Sequence, residues 1–371
     1  MTALPRGKHA TTALHVVRPS FKFNNTGSTG GFGTPPGLSN GGDGGDWAYI
    51  PNGFFAMDVT PSLRAGLALN VPFGLTTNFD AAWQGQLIAL KSAIKTINVQ
   101  PSIAYKVNDV FSIGAGVSFQ KIDAELTNSA GAAGVATLKA SDKGWGFNVG
   151  ATFQPSKSTR VGLHYRSAIN YDLRGTVAFS SPAANAANSV AASASLKTPN
   201  SASLSVLHAA NPRWDVMADL TWTGWSNLQR LDVIRASSSA VPFVLPANPL
   251  GGAAGTTFST LQFEWDDTWR VGLGANYKMN DRTKIRMGLA YDKTPTNDLH
   301  RSPRLPDQDR IWVAFGVQYK PFKQGTLDIG YAHEFVKDGS VNNTVTGVPG
   351  RLVVHFSSKA DIVSIQYSNA F

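Results

Sequence analysis

Taken in steps of two, the segment DIVSIQYSNAF (361–371) separates into Val363, Ile365, Tyr367, Asn369, Phe371 and an interleaved set, Ile362, Ser364, Gln366, Ser368, Ala370. One series is mostly large and apolar, the other mostly small or polar. The same alternation runs through RTKIRMGLAY (282–291), where Ile285, Met287, Leu289 and Tyr291 oppose Lys284, Arg286, Gly288 and Ala290. It recurs in TRVGLHYR (159–166) and SLRAGLALN (62–70). A period of two with one apolar side predicts β-strands with one greasy face.

Short turn signals separate these strands: VTPS at 59–62, VNDV at 107–110, QPSKS at 154–158, AANPR at 209–213, MNDR at 279–282 and PFKQG at 321–325. Long polar or Gly-rich stretches lie between them, at 24–46, 76–95, 127–142, 180–192, 235–260, 294–307 and 338–350. Strict alternation of short and long connections predicts about fourteen strands, with both termini on the short-turn side. The fold class expected is therefore all-β, a transmembrane antiparallel up-and-down β-barrel spanning 1–371. A soluble β-sandwich is the rival. Strands of ten or more residues are long for one, where about five or six is usual. Aromatics also gather near strand ends (Trp47, Tyr49, Trp222, Trp225, Trp265, Trp269, Trp312, Tyr319), as membrane-interface girdles require. Phe371 would then close the lipid face at the short-turn rim.

Composition agrees. Charged residues are 15 % of the chain against about 25 % in soluble domains, while 42 % are hydrophobic. No apolar run approaches the roughly 18 residues of a membrane helix. There is no cysteine, which excludes disulfide scaffolds, thiolate metal sites and Cys nucleophiles. The net charge is +9, yet no run of five Lys/Arg occurs, so no nucleic-acid surface is expected. MTALPRGKHATTALHVV lacks the apolar stretch of a signal peptide.

Chemistry-bearing motifs are few. GGDGGD (41–46) matches one copy of a calcium-repeat pattern that needs several stacked copies, and reads better as a flexible Gly-rich loop. GWGFNVG (144–150) and GLGAN (272–276) are not followed by a helix pattern and read as glycines on a lumen-facing row. A barrel lipase would need Ser, His and an acid converging, but no G-x-S-x-G exists. The chain is expected to be no enzyme and to need no cofactor or metal. Arg64, Lys121, Asp123, Glu125, Arg160, His164, Arg166, Arg270, Lys284 and Arg286 fall opposite apolar faces. They would either brace a solvated interior by ion pairs or offer surplus cations to an anionic head group. The ligand-binding candidates are Arg160, Arg166, Arg286, Lys284, Lys121 and His164. In NFDAAWQGQLIALKSAI (78–94), Phe79, Trp83, Leu87, Leu90 and Ile94 recur at helical spacing. This predicts a loop helix over the barrel mouth, with Phe79, Trp83, Leu87 and Leu90 forming an extracellular apolar groove for ligand capture.

The segments VPFGLTTNFDAAWQGQ, INVQPSIAYKVNDVFSIGAGVSFQK, MADLTWTGWSNLQRLDV, WDDTWRVGLGANY and LPDQDRIWVAFGVQY resemble the outer-membrane hydrophobic-compound transporters, the long-chain fatty acid transporter family. The resemblance covers essentially the whole chain. It implies a fourteen-stranded barrel plugged by an N-terminal hatch, with ligand leaving sideways through the wall. It further implies passive, multi-pass uptake of long-chain fatty acids in a Gram-negative outer membrane, with aromatic hydrocarbons as the alternative cargo. Implied partners are the hydrophobic ligand, outer-membrane lipid and lipopolysaccharide, and the barrel assembly machinery through Phe371; a monomer is expected. Two departures stand out. MTALPRG begins where the family's plug ends, so signal peptide and plug are expected to be missing from this chain. The family's Trp-x-Gly-Arg-Tyr reads Trp83-Gln84-Gly85-Gln86-Leu87, without the arginine. A lateral exit is expected in the hairpin of strands three and four. There Pro72 in NVPFGL and Pro101 in NVQPSIAY would sit at similar height, with Gly74 beside them, and proline cannot donate to a ladder.

Overall fold

The computed structural model describes residues 1–33, 37–239, 244–245, 248–249, 252–345 and 348–371. Fourteen antiparallel strands form one closed barrel. They are β1 (Lys8–Asn25), β2 (Ala48–Asp58), β3 (Leu63–Asn70 and Gly74–Asn78), β4 (Lys91–Lys106), β5 (Phe111–Ser129), β6 (Val135–Phe153) and β7 (Thr159–Arg166 and Asn170–Phe179). Next come β8 (Val190–Lys197 and Ser201–Ala209), β9 (Trp214–Thr223 and Arg230–Arg235), β10 (Thr257–Gln262 and Thr268–Lys278) and β11 (Thr283–Asp292). The last are β12 (Arg310–Tyr319), β13 (Gly325–Val336 and Gly339–Asn343) and β14 (Leu352–Ala370). Closure comes from β1 against β14, in register from His9↔Ala370 to Asn25↔Val354. Among the described residues no helix is long and apolar enough to cross a membrane.

Three of the short turns are built by asparagines. Asn108 Oδ1 accepts from the Val110 and Phe111 amides at 2.9 and 2.8 Å. Asn211 and Asn280 do the same for the pairs Arg213/Trp214 and Arg282/Thr283. Each side chain mimics a backbone turn and fixes the hairpin locally. Alternation then sorts the faces. On β5, Phe111, Ile113, Val117 and Phe119 point out and are exposed, whereas Gly116, Ser118, Gln120 and Ile122 point in and are buried. In the short-turn mouth, Arg64 pairs with Asp58 at 2.6 Å and donates to the carbonyls of Met1, Leu4 and Pro5.

Four neighbouring strands, β7 to β10, are interrupted at 167–169, 198–200, 224–229 and 263–267. Beneath the breaks lies an apolar cluster including Ile122, Ile169, Tyr171, Leu173, Leu231, Phe263 and Trp265. This corrects the girdle reading: Trp265 and Trp225 stand in interruptions, where alternation no longer decides the face. They meet edge-to-face inside the barrel at 5.2 Å. Trp47, Tyr49, Trp269 and Tyr319 are exposed at the outer surface. The glycines of GWGFNVG have a specific role. A Cβ on Gly144 would stand 2.5 Å from Ile169 Cγ2, and one on Gly146 2.8 Å from Ile169 Cγ1. Ile169 is thus seated in a groove that only bare backbone provides. Gly144→Val should unseat it and destabilise the barrel by about 1–3 kcal/mol, the usual cost of overpacking. The readout is a lower temperature for the folded-to-unfolded shift on semi-native gels; an unchanged temperature would show that the groove is not needed.

Candidate functional site: a lumen cavity behind a gap in the wall

The barrel wall is not continuous. The β2–β3 ladder runs from Asp58↔Arg64 to Gly53↔Leu69 and stops. Continued in register, it would set Pro51 against Val71 and Ile50 against Pro72. Each lip therefore carries a proline, which has no N–H to give. Chain 71–73 leaves the sheet, and the resumed strand Gly74–Asn78 pairs with β4 alone. The upper part of β2, including Ala48 to Asn52, pairs with β1 alone. On the β4 side the break is sutured by Thr96, whose Oγ1 accepts from the Phe73 amide (2.9 Å) and donates to the Phe73 carbonyl (2.7 Å).

This corrects the expected site of the opening. The β3–β4 ladder persists above and below the break, so the gap lies on the other edge of β3. Pro101 stands opposite Leu67, below Pro72 and away from the gap. The hairpin register places residue 98 against Asn70, so Pro72 and Pro101 are not at one height.

The Gly-rich loop forms a lintel over the gap. The Gly44 amide donates to Phe21 O on β1 at 2.8 Å, and the Asn78 amide on β3 donates to Gly44 O at 2.9 Å. Asp43 fixes it, accepting from Ser20 Oγ (2.8 Å), the Phe21 amide (2.9 Å) and the Gly45 amide (3.0 Å), with Arg18 at 3.8 Å. A Cβ on Gly45 would lie 2.0 Å from Pro19 O, so close approach to β1 requires glycine there. Sequence reasoning took GGDGGD for a flexible loop. The signal available was an Asp flanked by glycines in a chain with an unmatched strand edge.

Behind the gap is a cavity of about 1660 Å³, lined by both lips, among them Pro51, Pro72, Phe73 and Leu75. Trp225, Trp265, Arg166, Arg270, Arg310 and Glu334 line it further in. The long loop 293–309 covers it, with buried Arg304 donating to Lys91 O and Ser92 Oγ. Two of its arginines are neutralised. Arg310 faces Asp307 at 2.8 Å, Glu334 at 3.5 Å and Asp292 at 3.6 Å, and Arg270 faces Asp219 at 3.6 Å. Arg166 differs. Among the described residues no carboxylate lies within ion-pair distance of it. It donates to Gln120 Oε1 at 3.1 Å and sits over the Phe73 ring at 5.8 Å, beside the gap.

The other lumen candidates do not join it. Arg160 donates to Gln154 near the short-turn rim, and Arg286 is bound to Asp328 at 3.0 Å. Lys284 and His164 point inward on β11 and β7 but do not border the gap. Lys121 does not face the lumen at all: it shares the outward face of Phe119 and pairs there with Asp123 at 2.8 Å. The greasy face of β5 ends at Phe119, and charge resumes on the same outward face.

The expected loop helix is absent. Residues 81–90 are turns, and Phe79, Trp83 and Leu90 are buried in a closed cluster with Phe23, Phe32, Val341, Leu352 and Phe356. Leu87 packs at its edge. Trp83 stacks on Phe79 at 4.4 Å and donates its Nε1–H to Ala89 O at 2.7 Å. Gly85 passes so near the indole that a Cβ would come within 2.2 Å of it. The apolar recurrence serves a compact roof, and these four residues line no open groove.

Residues 1–371 match the family described as outer membrane protein transport protein (OMPP1/FadL/TodX). The chain belongs to this family. The long-chain fatty acid transport protein of Salmonella typhi is 25 % identical over 328 residues, covering 80 % of this chain and 72 % of that one. Outer membrane protein P1 of Haemophilus influenzae is 26 % identical over 319 residues, covering 77 % and 66 %. The crystal structure of a Pseudomonas aeruginosa FadL homologue superposes with a TM-score of 0.87 at 26 % identity, covering 100 % of this chain and 92 % of that chain. The P. putida toluene transporter TodX has the same fold, with a TM-score of 0.70 at 16 % identity, covering 100 % and 91 %. In this OMPP1/FadL/TodX chain the lintel yields a pH test. Burial raises the Asp43 pKa, but the Phe21 and Gly45 amides, Ser20 and Arg18 outweigh it and hold the carboxyl below its usual value. A depressed folded pKa means stabilisation that is complete above the unfolded value, about 3.9, and lost as pH falls through the folded one. Asp43→Ala should speed hydrogen exchange at the Gly44 and Asn78 amides at neutral pH and abolish the acid-dependent loosening seen in the parent. Equal exchange in both proteins would show that Asp43 does not hold the lintel.

Proposed function

We propose that this chain carries long-chain fatty acids, or amphiphiles like them, across the outer membrane of a Gram-negative bacterium without chemical change. Ligand reaches the lumen cavity from the extracellular side, rests with its head group at Arg166, and leaves through the β2–β3 gap into the bilayer. The observation that carries this reading is Arg166: a cation without a carboxylate, in an apolar-sided cavity, beside the β2–β3 gap. A guanidinium takes a carboxylate bidentately, while the acyl chain can lie along Phe73, Trp225 and Trp265. The cavity exceeds the usual ligand pocket of about 300–1,000 Å³, which suits a long flexible chain. The fatty acid transport protein named above lends the same support. The toluene transporter shares too little sequence to say more than fold, and a hydrocarbon would leave Arg166 unused. Recognition of Phe371 by the assembly machinery, contact with lipopolysaccharide and a monomeric state belong to the same reading.

Arg166→Met should weaken binding of a long-chain fatty acid by roughly 1.5–3 kcal/mol, the range for a hydrogen bond to a charged group, and leave the matching alcohol nearly unaffected. Equal losses for acid and alcohol would exclude head-group recognition there. The exit is tested separately. Pro51→Val with Pro72→Val restores an N–H to each lip, so the ladder can extend above Gly53↔Leu69. Uptake should slow while the barrel still assembles and binds ligand; normal uptake would place the exit elsewhere.

A further inference from the structure

On the outer wall, charge begins abruptly where the greasy face of β4, β5 and β6 stops. Phe119 and Trp145 stand opposite each other in the β5–β6 register and are 57 % and 69 % exposed. An outward aromatic pair of this kind marks the level of a membrane interface. From Phe111 to Phe119, and from Ile97 to Tyr105, no outward position is charged. One outward step beyond the aromatics the cations start. Lys121 on β5 stands directly opposite Lys143 on β6. In the next row Lys95, Asp123, Ser141 and Arg174 stand side by side across β4, β5, β6 and β7. Lys139 and Glu125 follow, again opposite each other. Lys91 takes Glu125 at 3.1 Å, and Lys121 takes Asp123 at 2.8 Å. Among the described residues, Lys95, Lys139, Lys143 and Arg174 have no carboxylate within ion-pair distance, and all four are exposed. Asp172 does not supply one. Continued in register it would face Lys143, but its carboxylate accepts from Ser195 Oγ at 3.2 Å and pairs with no cation.

Like charges directly opposite on one face of a ladder repel, so Lys121 against Lys143 weakens the wall unless an anion stands between them. Among the described residues no carboxylate does so for Lys143. Arg174 is flanked in register by Ser141 and Ser193, whose hydroxyls add donors beside its guanidinium. From β4 to β7 the group spans three strand spacings, about 14 Å, wide enough for a head group with more than one phosphate. In barrels of this kind the long connections face outside the cell, which sets these cations among the head groups of the outer leaflet. We propose that this face binds lipopolysaccharide through the phosphates of its lipid A, with Lys95, Lys139, Lys143 and Arg174 as the cations. The inference rests on the outer-membrane reading and gives residues to the lipid contact named there. It uses neither the cavity nor the gap. A zwitterionic head group brings its own cation and would leave the four uncompensated, whereas a head group with two phosphates would not.

The test uses the full chain in detergent, with native mass spectrometry reading the bound lipid. Diphosphorylated lipid A is the probe, and palmitate is measured in parallel. Lys143→Gln with Arg174→Gln removes two exposed cations and leaves the lumen and Arg166 untouched. Lipid A affinity should fall roughly 30-fold, the loss expected for two cations at a charged lipid surface. Lys22→Gln with Lys359→Gln, exposed cations on β1 and β14 outside the group, should change it less than about threefold. Equal losses in the two pairs, or no loss in the first, would overturn the proposal. Phosphatidylglycerol bound as tightly as lipid A would overturn it too, since any anionic lipid would then serve. So would displacement of lipid A by an equal concentration of inorganic phosphate, which would assign the site to the free ion. Should a variant not fold, the ligand decides: dephosphorylated lipid A should bind the parent at least about tenfold more weakly, and unchanged binding overturns the proposal. If the parent binds palmitate but not lipid A, this inference alone fails; if it binds neither, the fatty-acid reading fails with it.

Discussion

A barrel in a membrane has nowhere to hide an unpaired strand edge, because lipid offers its backbone no partner. The gap between β2 and β3 is thus the constraint around which this structure is arranged. Prolines on both lips keep the ladder from closing, and three separate devices contain the lapse. Thr96 sutures the break on the β4 side. The glycine lintel carries hydrogen bonding from β1 to β3 above it. The aromatic roof around Trp83 is anchored on the same strand, because Phe79 follows directly on Asn78. None of these devices makes sense in a wall that closes, and each uses residues that would be unremarkable elsewhere.

The wall itself was legible in the sequence because its causes are local. Period-two alternation and asparagine turns act over a few residues, so strand number, short turns and the outward face of β14 could be read directly. Which edge of β3 stands open could not. Alternation assigns a residue to a face, whereas a gap is a property of two strands brought together by register, and Pro72 alone fits an opening on either side. The same limit explains Lys121. Parity was misjudged where the greasy face ends, since beyond Phe119 outward positions are charged rather than apolar. Trp225 and Trp265 sit in strand breaks, where parity has no meaning. The spacing of Phe79, Trp83, Leu87 and Leu90 reports burial on one side of a chain. A compact loop with Gly85 under an indole buries that side as well as a helix would.

Charge in the lumen follows a division that composition could not foretell. Arg64, Arg270, Arg286 and Arg310 each have carboxylates close by, and removing either partner would leave its charge unpaired. Those pairs give the interior its shape. They have little reason to bind a fatty acid, because a ligand carboxylate would have to displace one already in place.

Arg166 differs from these four, and on the fatty-acid reading its setting would let a site hold a ligand without trapping it. Its neighbours are a neutral amide and an aromatic face, so the guanidinium is held in place without being neutralised. A ligand acid would gain a full charge partner there, while its chain would meet apolar side chains that continue to the lips of the gap. Moving from that cavity to the bilayer exchanges one apolar surrounding for another, so the chain itself contributes little to retention. What remains to hold the ligand is the head group alone. Passive transfer needs binding strong enough to collect and weak enough to release, and confining the strong contact to one end of the ligand satisfies both demands.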